Sequence, residues 1–124
     1  MKFYGFDGDR IGKRIETLLI KGEIIDIGKF SNDISTALER ISETIVQQGG
    51  KVIFCGGDSI MFQGQFENTF CEELLALFLK LTGCTASMGI GASSTDAYLA
   101  LKLAKAEGGG KMVYYQTSEG ENDG

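Results

Sequence analysis

The 124-residue sequence contains no histidine, no proline and no tryptophan, and it has only three cysteines. Cys55, Cys71 and Cys84 form no close pairing motif, and without a neighbouring histidine they are not expected to bind zinc. We interpret the three thiols as small buried apolar groups in a protein of a reducing compartment.

The sequence also lacks a hydrophobic run of membrane-spanning length, and it begins with a predicted strand rather than a signal peptide. Both features favour a cytoplasmic protein that has no membrane partner. The net charge of −5 argues against direct binding of DNA or RNA, which normally requires a basic face. A nucleotide is compatible with this charge, because a metal ion can neutralise its phosphates.

Glycine is the residue in excess, with 18 copies in 124 positions. The length and the apolar fraction of 43% are typical of one globular domain, which we assign to residues 1–117. Residues 118–124 are acidic and contain glycine, so we expect them to form a disordered tail.

Residues 51–63 predict a β-hairpin. Two short runs rich in β-branched and aromatic residues flank Gly56-Gly57-Asp58-Ser59. The glycines allow positive φ angles and keep bulky side chains away from the tip, so that the Asp58 carboxylate projects at a bare edge. Taken alone, the pattern fits an ordinary polar turn as well as a metal site.

The whole chain predicts the order β, α in two pieces, β-hairpin, α, β, α, β. Glycines between residues 22 and 28 indicate a break, after which a regular apolar stripe runs from Phe30 to Ile45. Later elements are a helix from Phe66 to Leu81, a strand over 85–92, a helix over 97–107 and a strand over 111–115. We predict an α+β ferredoxin-like sandwich, an antiparallel sheet with helices packed on one face.

This topology brings two acidic elements together. Asp7 follows the first strand, and in a ferredoxin-like sheet that strand ends at the same edge as the hairpin turn with Asp58. Two carboxylates at one edge suit Mg²⁺, which prefers oxygen ligands, and two ions could stabilise both the attacking and the leaving oxygen. Asp9 and Asp7 have an alternative role as the cap of the helix that begins near Ile11.

The motifs resemble those of a known superfamily. Residues 6–12, Phe6-Asp7-Gly8-Asp9-Arg10-Ile11-Gly12, followed by the Gly56–Ser59 turn, resemble the Palm domain of GGDEF-type cyclases and CRISPR polymerases. The chain most resembles the minimal CRISPR polymerases (mCpol), compact relatives of the type III CRISPR signalling subunit. The similarity includes Ser31 with Ile34, residues 87–91, and residues 104–111.

The resemblance implies a nucleotidyltransferase that condenses nucleoside triphosphates, preferably ATP, into a cyclic di- or oligonucleotide for anti-phage defence. It implies two Mg²⁺ or Mn²⁺ ions held by the catalytic acids Asp7 and Asp58, by the Gly8 carbonyl and by Asp9. The implied nucleotide-binding residues are Gly8, Asp9, Arg10, Gly56, Gly57, Ser59, Lys105 and Lys111. The chain departs from the pattern at Ser59, where CRISPR polymerases often have a second acid, and before Lys111, where three glycines lengthen the segment.

Two other functions stay open. A cyclase could make a cyclic mononucleotide from one substrate, and a sensor could bind nucleotide without reacting, as Ser59 would allow. A condensing enzyme needs its second nucleotide from another chain or from an acceptor pocket, and we expect a homodimer or larger homo-oligomer. A downstream effector would bind the cyclic product.

Overall fold

The computed structural model describes residues 1–115 and contains five strands and four helices in that range. In chain order the elements are β1 (Lys2–Gly8), α1 (Ile11–Ile20), α2 (Ile24–Gln47), β2 (Lys51–Gly56), β3 (Ser59–Gly64), α3 (Asn68–Thr82), β4 (Ala86–Gly91), α4 (Ser94–Ala106) and β5 (Met112–Tyr115). The predicted tail at residues 118–124 and the boundary at residue 117 lie outside the described residues. None of the helices in residues 1–115 is both long and apolar enough to cross a membrane.

The five strands form one sheet in the order β2-β3-β1-β4-β5. β1 is antiparallel to β3 and to β4, and β3 is antiparallel to β2. β1 and β2 therefore run in the same direction with β3 between them. This arrangement confirms the predicted α+β ferredoxin-like topology.

The structure corrects two details of the predicted sandwich. β5 runs parallel to β4, because α4 connects them as a crossover, so the sheet is mixed rather than antiparallel. Helices also cover both faces: the Phe6 ring packs edge-on against Phe78 of α3, whereas the next position back, Gly5, faces Leu101 of α4.

α4 lies unusually close to the sheet, and glycine makes this possible. A Cβ atom at Gly89 would stand 2.2 Å from the Ala97 carbonyl oxygen and 2.2 Å from the Leu101 nitrogen, so no other residue fits there. The inner side of α4 is correspondingly small, with Ala97, Ala100 and Ala104 fully buried. The Ser93 side chain caps α4 by accepting a hydrogen bond from the Asp96 amide at 3.1 Å.

The main core lies on the opposite face, between the sheet and α2 with α3. The predicted apolar stripe of α2 is buried there as expected. α2 begins at Ile24, six residues earlier than the regular stripe, because a glycine at position 28 costs only about 1 kcal/mol in a long helix. The largest buried side chains of this core are Tyr4, Phe6, Phe62, Phe78, Ile41, Ile45, Ile60, Leu74, Met88 and Ile90.

The cysteines are free, but they do not share one environment. Cys71 is fully buried, and burial raises the pKa of its thiol to about 11. Cys84 is half-buried, whereas Cys55 is exposed. The prediction of three buried thiols is therefore wrong for Cys55, because β2 is an edge strand and most of its residues contact solvent.

Candidate active site

The two predicted acids meet at one edge of the sheet. Asp7 pairs with Ser59 across β1 and β3, and the amide of Gly8 donates a 2.9 Å hydrogen bond to the Asp58 carbonyl oxygen. Gly57, at the tip of the hairpin, has a φ angle of 59°, which glycine adopts without strain. The backbone register thus fixes the acidic strand end beside the hairpin turn.

Lys105, in the last turn of α4, connects the acidic groups at this edge. Its Nζ atom lies 2.6 Å from Oδ2 of Asp7 and 3.2 Å from Oδ1 of Asp9. The same ammonium group donates a 2.6 Å hydrogen bond to the carbonyl oxygen of Gly8. The hydroxyl of Ser59 donates to the other Asp7 oxygen. Asp7 is therefore held between the hairpin and α4.

Gly8 has to be glycine for its carbonyl to take this position. A Cβ atom there would lie 2.7 Å from the Ile11 side chain and 2.9 Å from the Phe78 ring. Both neighbours belong to the core, so a larger residue would push the strand end away from Lys105.

Asp58 carries a carboxylate in an unfavourable environment. Desolvation by burial and, next, the negative charge of Asp7 raise the pKa of Asp58 above its ordinary value. Nearby cations counteract such repulsion, and Lys105 lowers the same pKa by a smaller amount. The pair of acids consequently favours additional positive charge at this edge.

Asp9 is buried among hydrogen-bond donors. Its carboxylate accepts from the Thr85 hydroxyl at 2.7 Å, the Ser87 hydroxyl at 2.7 Å and the Gly110 amide at 2.8 Å. Burial alone would raise the pKa of Asp9, but these hydrogen bonds, together with Lys105, outweigh it and lower the pKa. The carboxylate links β1, β4 and the loop after α4.

Neither Asp7 nor Asp9 caps α1, contrary to the alternative that the sequence left open. The N-cap is Arg10, and no side chain caps the helix. Arg10 has φ of 56° and is the single non-glycine residue with positive φ in residues 1–115. Its guanidinium reaches the Gly108 carbonyl oxygen at 3.5 Å.

The structure does not bring every predicted residue to the acids. Lys111 pairs with Glu107 at 3.1 Å and is about 43% exposed, and within residues 1–115 it has no ion pair with Asp7, Asp9 or Asp58. The reason is the loop of Gly108, Gly109 and Gly110, in which all three φ angles are positive and the chain turns over Asp9. Gly56 and Gly57 lie at the hairpin tip beside Asp58, as predicted.

Sequence reasoning missed the polar network around Asp9. Ser87 is completely buried, and its hydroxyl also accepts from the Gly110 amide at 3.1 Å. A Cβ atom at Gly109 would lie 2.8 Å from the Asp9 carboxylate, so the loop can close only with glycine there. The run of three glycines was the sequence signal for this loop, since glycine adopts the positive φ angles that other residues avoid.

Two cavities flank the acidic edge, one on each side of the sheet. The first, of about 380 Å³, lies between α1, α2 and the hairpin tip. The second, of about 370 Å³, lies between α4 and the strands β1, β2 and β3. Residues lining the first are Ile11, Gly12, Ile15, Ser31, Ile34, Ser35, Gly57 and Asp58.

The edge fits a hard divalent cation in its chemistry. Carboxylate and carbonyl oxygens are the ligands that Mg²⁺ prefers, and the Lys105 ammonium already rests on the Asp7 carboxylate and the Gly8 carbonyl. In residues 1–115 no cluster of three acidic, histidine or cysteine side chains stands ready to hold a metal. A metal here would consequently need oxygens from a phosphate ligand as well.

Known structures define the class of fold. The GGDEF domain of DgcB from Caulobacter crescentus, in complex with c-di-GMP, has a TM-score of 0.62 at 13% identity, over 91% of this chain and 76% of that chain. An active GGEEF domain of a diguanylate cyclase from Vibrio cholerae has a TM-score of 0.57 at 11% identity, over 94% and 83%. The GGDEF domain of PA1120 from Pseudomonas aeruginosa has a TM-score of 0.56 at 17% identity, over 94% and 82%.

The family follows from the sequence. Residues 3–115 match the model of the minimal CRISPR polymerase domain, mCpol, and the chain belongs to that family. No curated protein matches the chain. The predicted family is thus confirmed, and membership of a polymerase family supports an enzyme of the nucleotidyltransferase type.

Proposed function

We propose that the protein is a metal-dependent nucleotidyltransferase that condenses ATP into a cyclic di- or oligonucleotide and releases pyrophosphate. The observation that carries this proposal is the placement of Asp7 and Asp58 at one sheet edge beside Lys105. Phosphoryl transfer needs mainly positioning and neutralisation of charge, so the absence of histidine is no obstacle.

The carboxylates of Asp7 and Asp58 and the carbonyl of Gly8 would hold Mg²⁺ or Mn²⁺. Such an ion supplies positive charge to the phosphates and to the leaving pyrophosphate. We assign Asp9 a positioning role, because its carboxylate oxygens already accept from Thr85, Ser87 and Gly110. Lys105 would exchange its contact with Asp7 for a phosphate oxygen of the substrate.

The cavity between α1 and α2 would hold the base of the nucleotide that donates its α-phosphate. Its walls are apolar at Ile11, Ile15 and Ile34, and Ser31 and Ser35 provide hydroxyls for the edge of the base. Because Asp58 closes the cavity at the hairpin tip, a triphosphate leaving the cavity would meet the two acids. Adenine is the base we favour.

The reaction forms one bond and breaks another. A 2′- or 3′-hydroxyl oxygen of the second nucleotide bonds to the α-phosphorus, the bond between this phosphorus and the bridging oxygen to the β-phosphate breaks, and pyrophosphate leaves. The hydroxyl proton passes to solvent. A second such step closes the ring.

A homodimer or larger assembly is part of the proposal. Four apolar side chains stand exposed at the corner between α1 and α2, namely Leu19, Ile20, Ile24 and Ile25, with exposed fractions between 61% and 87%. Several large apolar side chains exposed within one short segment are typical of protein–protein contacts. A cytoplasmic location, an anti-phage role and an effector that binds the product complete the proposal on the basis of the family.

Product mass tests the function most simply. The protein is incubated with each nucleoside triphosphate and Mg²⁺ or Mn²⁺, and the products are identified by mass spectrometry. We expect a cyclic di- or oligonucleotide from ATP, and no product from Asp58→Asn. A cyclic mononucleotide would support the mononucleotide cyclase instead, and unreacted but bound nucleotide would support the sensor, for which Ser59 is the structural argument.

A further inference from the structure

The cavity between α4 and the sheet has walls suited to an aromatic ligand. Phe54 from β2 and Tyr98 from α4 both line it, and they are 55% and 51% exposed. Met61 and Leu101 add apolar surface between them. Gly5 on β1 contributes no side chain, and Leu101 and Met61 come within 3.6 Å of the place that its Cβ atom would take. Aromatic side chains at such positions stack well on planar nucleobases.

One end of this cavity is polar and belongs to the acidic edge. Asp7, Ser59 and Lys105 line it there, and these are the residues that the β1–β3 register and α4 bring together. Lys102 lies on the rim, with its Nζ atom 5.5 Å from the centre of the Tyr98 ring. The cavity therefore combines an apolar slot, the Lys102 ammonium on its rim and direct access to the proposed reaction centre.

The geometry points to this cavity as the subsite for the second, acceptor nucleotide, and we propose that it binds a nucleoside 5′-phosphate. The inference rests on the proposed function, which requires two nucleotides at one pair of acids. The base would stack on Tyr98 and Phe54, and Lys102 would contact the phosphate. The sugar hydroxyls would then lie toward Asp7, where a reacting hydroxyl is needed.

Charge and size select this occupant. The cavity volume of about 370 Å³ is in the range of small-molecule sites, and it is too small for a folded partner. The Lys102 ammonium on the rim favours an anionic ligand with an apolar body, since Lys105 is already paired with Asp7 and Asp9. The cavity between α1 and α2, proposed above for the nucleotide that donates its α-phosphate, is the donor cavity, and the one beside α4 is the acceptor cavity. The two lie on opposite faces of the sheet and share only the acidic edge, so two nucleotides can be held without overlap.

Methyl NMR separates the two cavities in the intact chain. Met61 lines the acceptor cavity and Ile34 lines the donor cavity, so ¹³C-methyl labels on methionine and isoleucine report on each site. Adenosine 5′-monophosphate in EDTA should shift the Met61 methyl signal saturably. In Tyr98→Ala the affinity should fall about 5- to 150-fold, the equivalent of losing one stacked base. Leu99→Ala, one position along α4 and outside the cavity, should bind as the wild type does.

The same labels distinguish failure of the subsite from failure of the function. Non-reactive α,β-methylene ATP with Mg²⁺ should shift Ile34. If the Ile34 signal shifts and the Met61 signal does not move, the acceptor subsite alone is overturned. The same conclusion follows if the Met61 signal shifts equally in the wild type and in Tyr98→Ala. A Met61 response that Tyr98→Ala abolishes, without any Ile34 response, would support the subsite and contradict the donor site. No response from either methyl group would overturn both.

Discussion

Replacing Asp9 by alanine is expected to lower the free energy of unfolding, and not only to affect activity. Alanine leaves the Thr85 and Ser87 hydroxyls without the acceptor they now have at 2.7 Å, while the Gly110 amide keeps the Ser87 oxygen at 3.1 Å. Ser87 is fully buried, and an orphaned buried donor costs about 1–3 kcal/mol, whereas the exposed Thr85 hydroxyl can donate to water instead. This is an appreciable part of the roughly 5–15 kcal/mol that holds a domain together.

Urea unfolding followed by circular dichroism measures this loss. Asp9→Asn keeps one acceptor oxygen and should lose less than Asp9→Ala, and the exposed Glu39→Ala should unfold within about 0.5 kcal/mol of wild type. The lowered pKa of Asp9 also predicts the direction in which stability changes with pH. The stability that it contributes is present above the ordinary carboxyl pKa and is lost as pH falls through the lowered value. Equal unfolding of Asp9→Ala and wild type at neutral pH would refute the reasoning.

Three further predictions concern the charges and the surface. Lys105→Met should bind free Mn²⁺ more tightly, because no ammonium competes for Asp7, but ATP more weakly; calorimetry that shows both affinities falling together would contradict this exchange. Mn²⁺ affinity should fall as pH drops through the raised pKa of Asp58, and Asp58→Asn should flatten this profile; a midpoint at or below the ordinary carboxyl pKa would argue against it. Ile25→Glu should shift sedimentation toward monomer, whereas an unchanged distribution would exclude this corner as the contact.

The sequence was sufficient for the elements whose signals are local. The hairpin and the apolar stripe of α2 depend on residues close together in the chain, and both appear in the structure. The meeting of Asp7 with the hairpin turn followed from topology, because a ferredoxin-like sheet allows few strand orders. The placement of Asp7 beside the hairpin turn is therefore the part of the candidate site that the sequence pattern could predict.

Other features depend on contacts that no local pattern reveals. Asp9 carries the same side chain as Asp7, but burial beside Thr85, Ser87 and the Gly108–Gly110 loop gives it a different environment. The close packing of α4 on the sheet depends on the absence of a side chain at Gly89, where a Cβ atom would lie 2.2 Å from backbone atoms of α4. Lys111 points to Glu107 because the glycine loop redirects the chain, and spacing alone did not show this.

The central claim is that Asp7 and Asp58 hold a divalent ion together with a nucleoside triphosphate. Electron paramagnetic resonance of Mn²⁺ with α,β-methylene ATP tests it without turnover, in the wild type and in Asp7→Asn and Asp58→Asn. We predict that each variant loses at least tenfold in affinity for the bound ion while its unfolding curve stays near that of wild type. Mn²⁺ binding to both variants as tight as to the wild type would contradict the account.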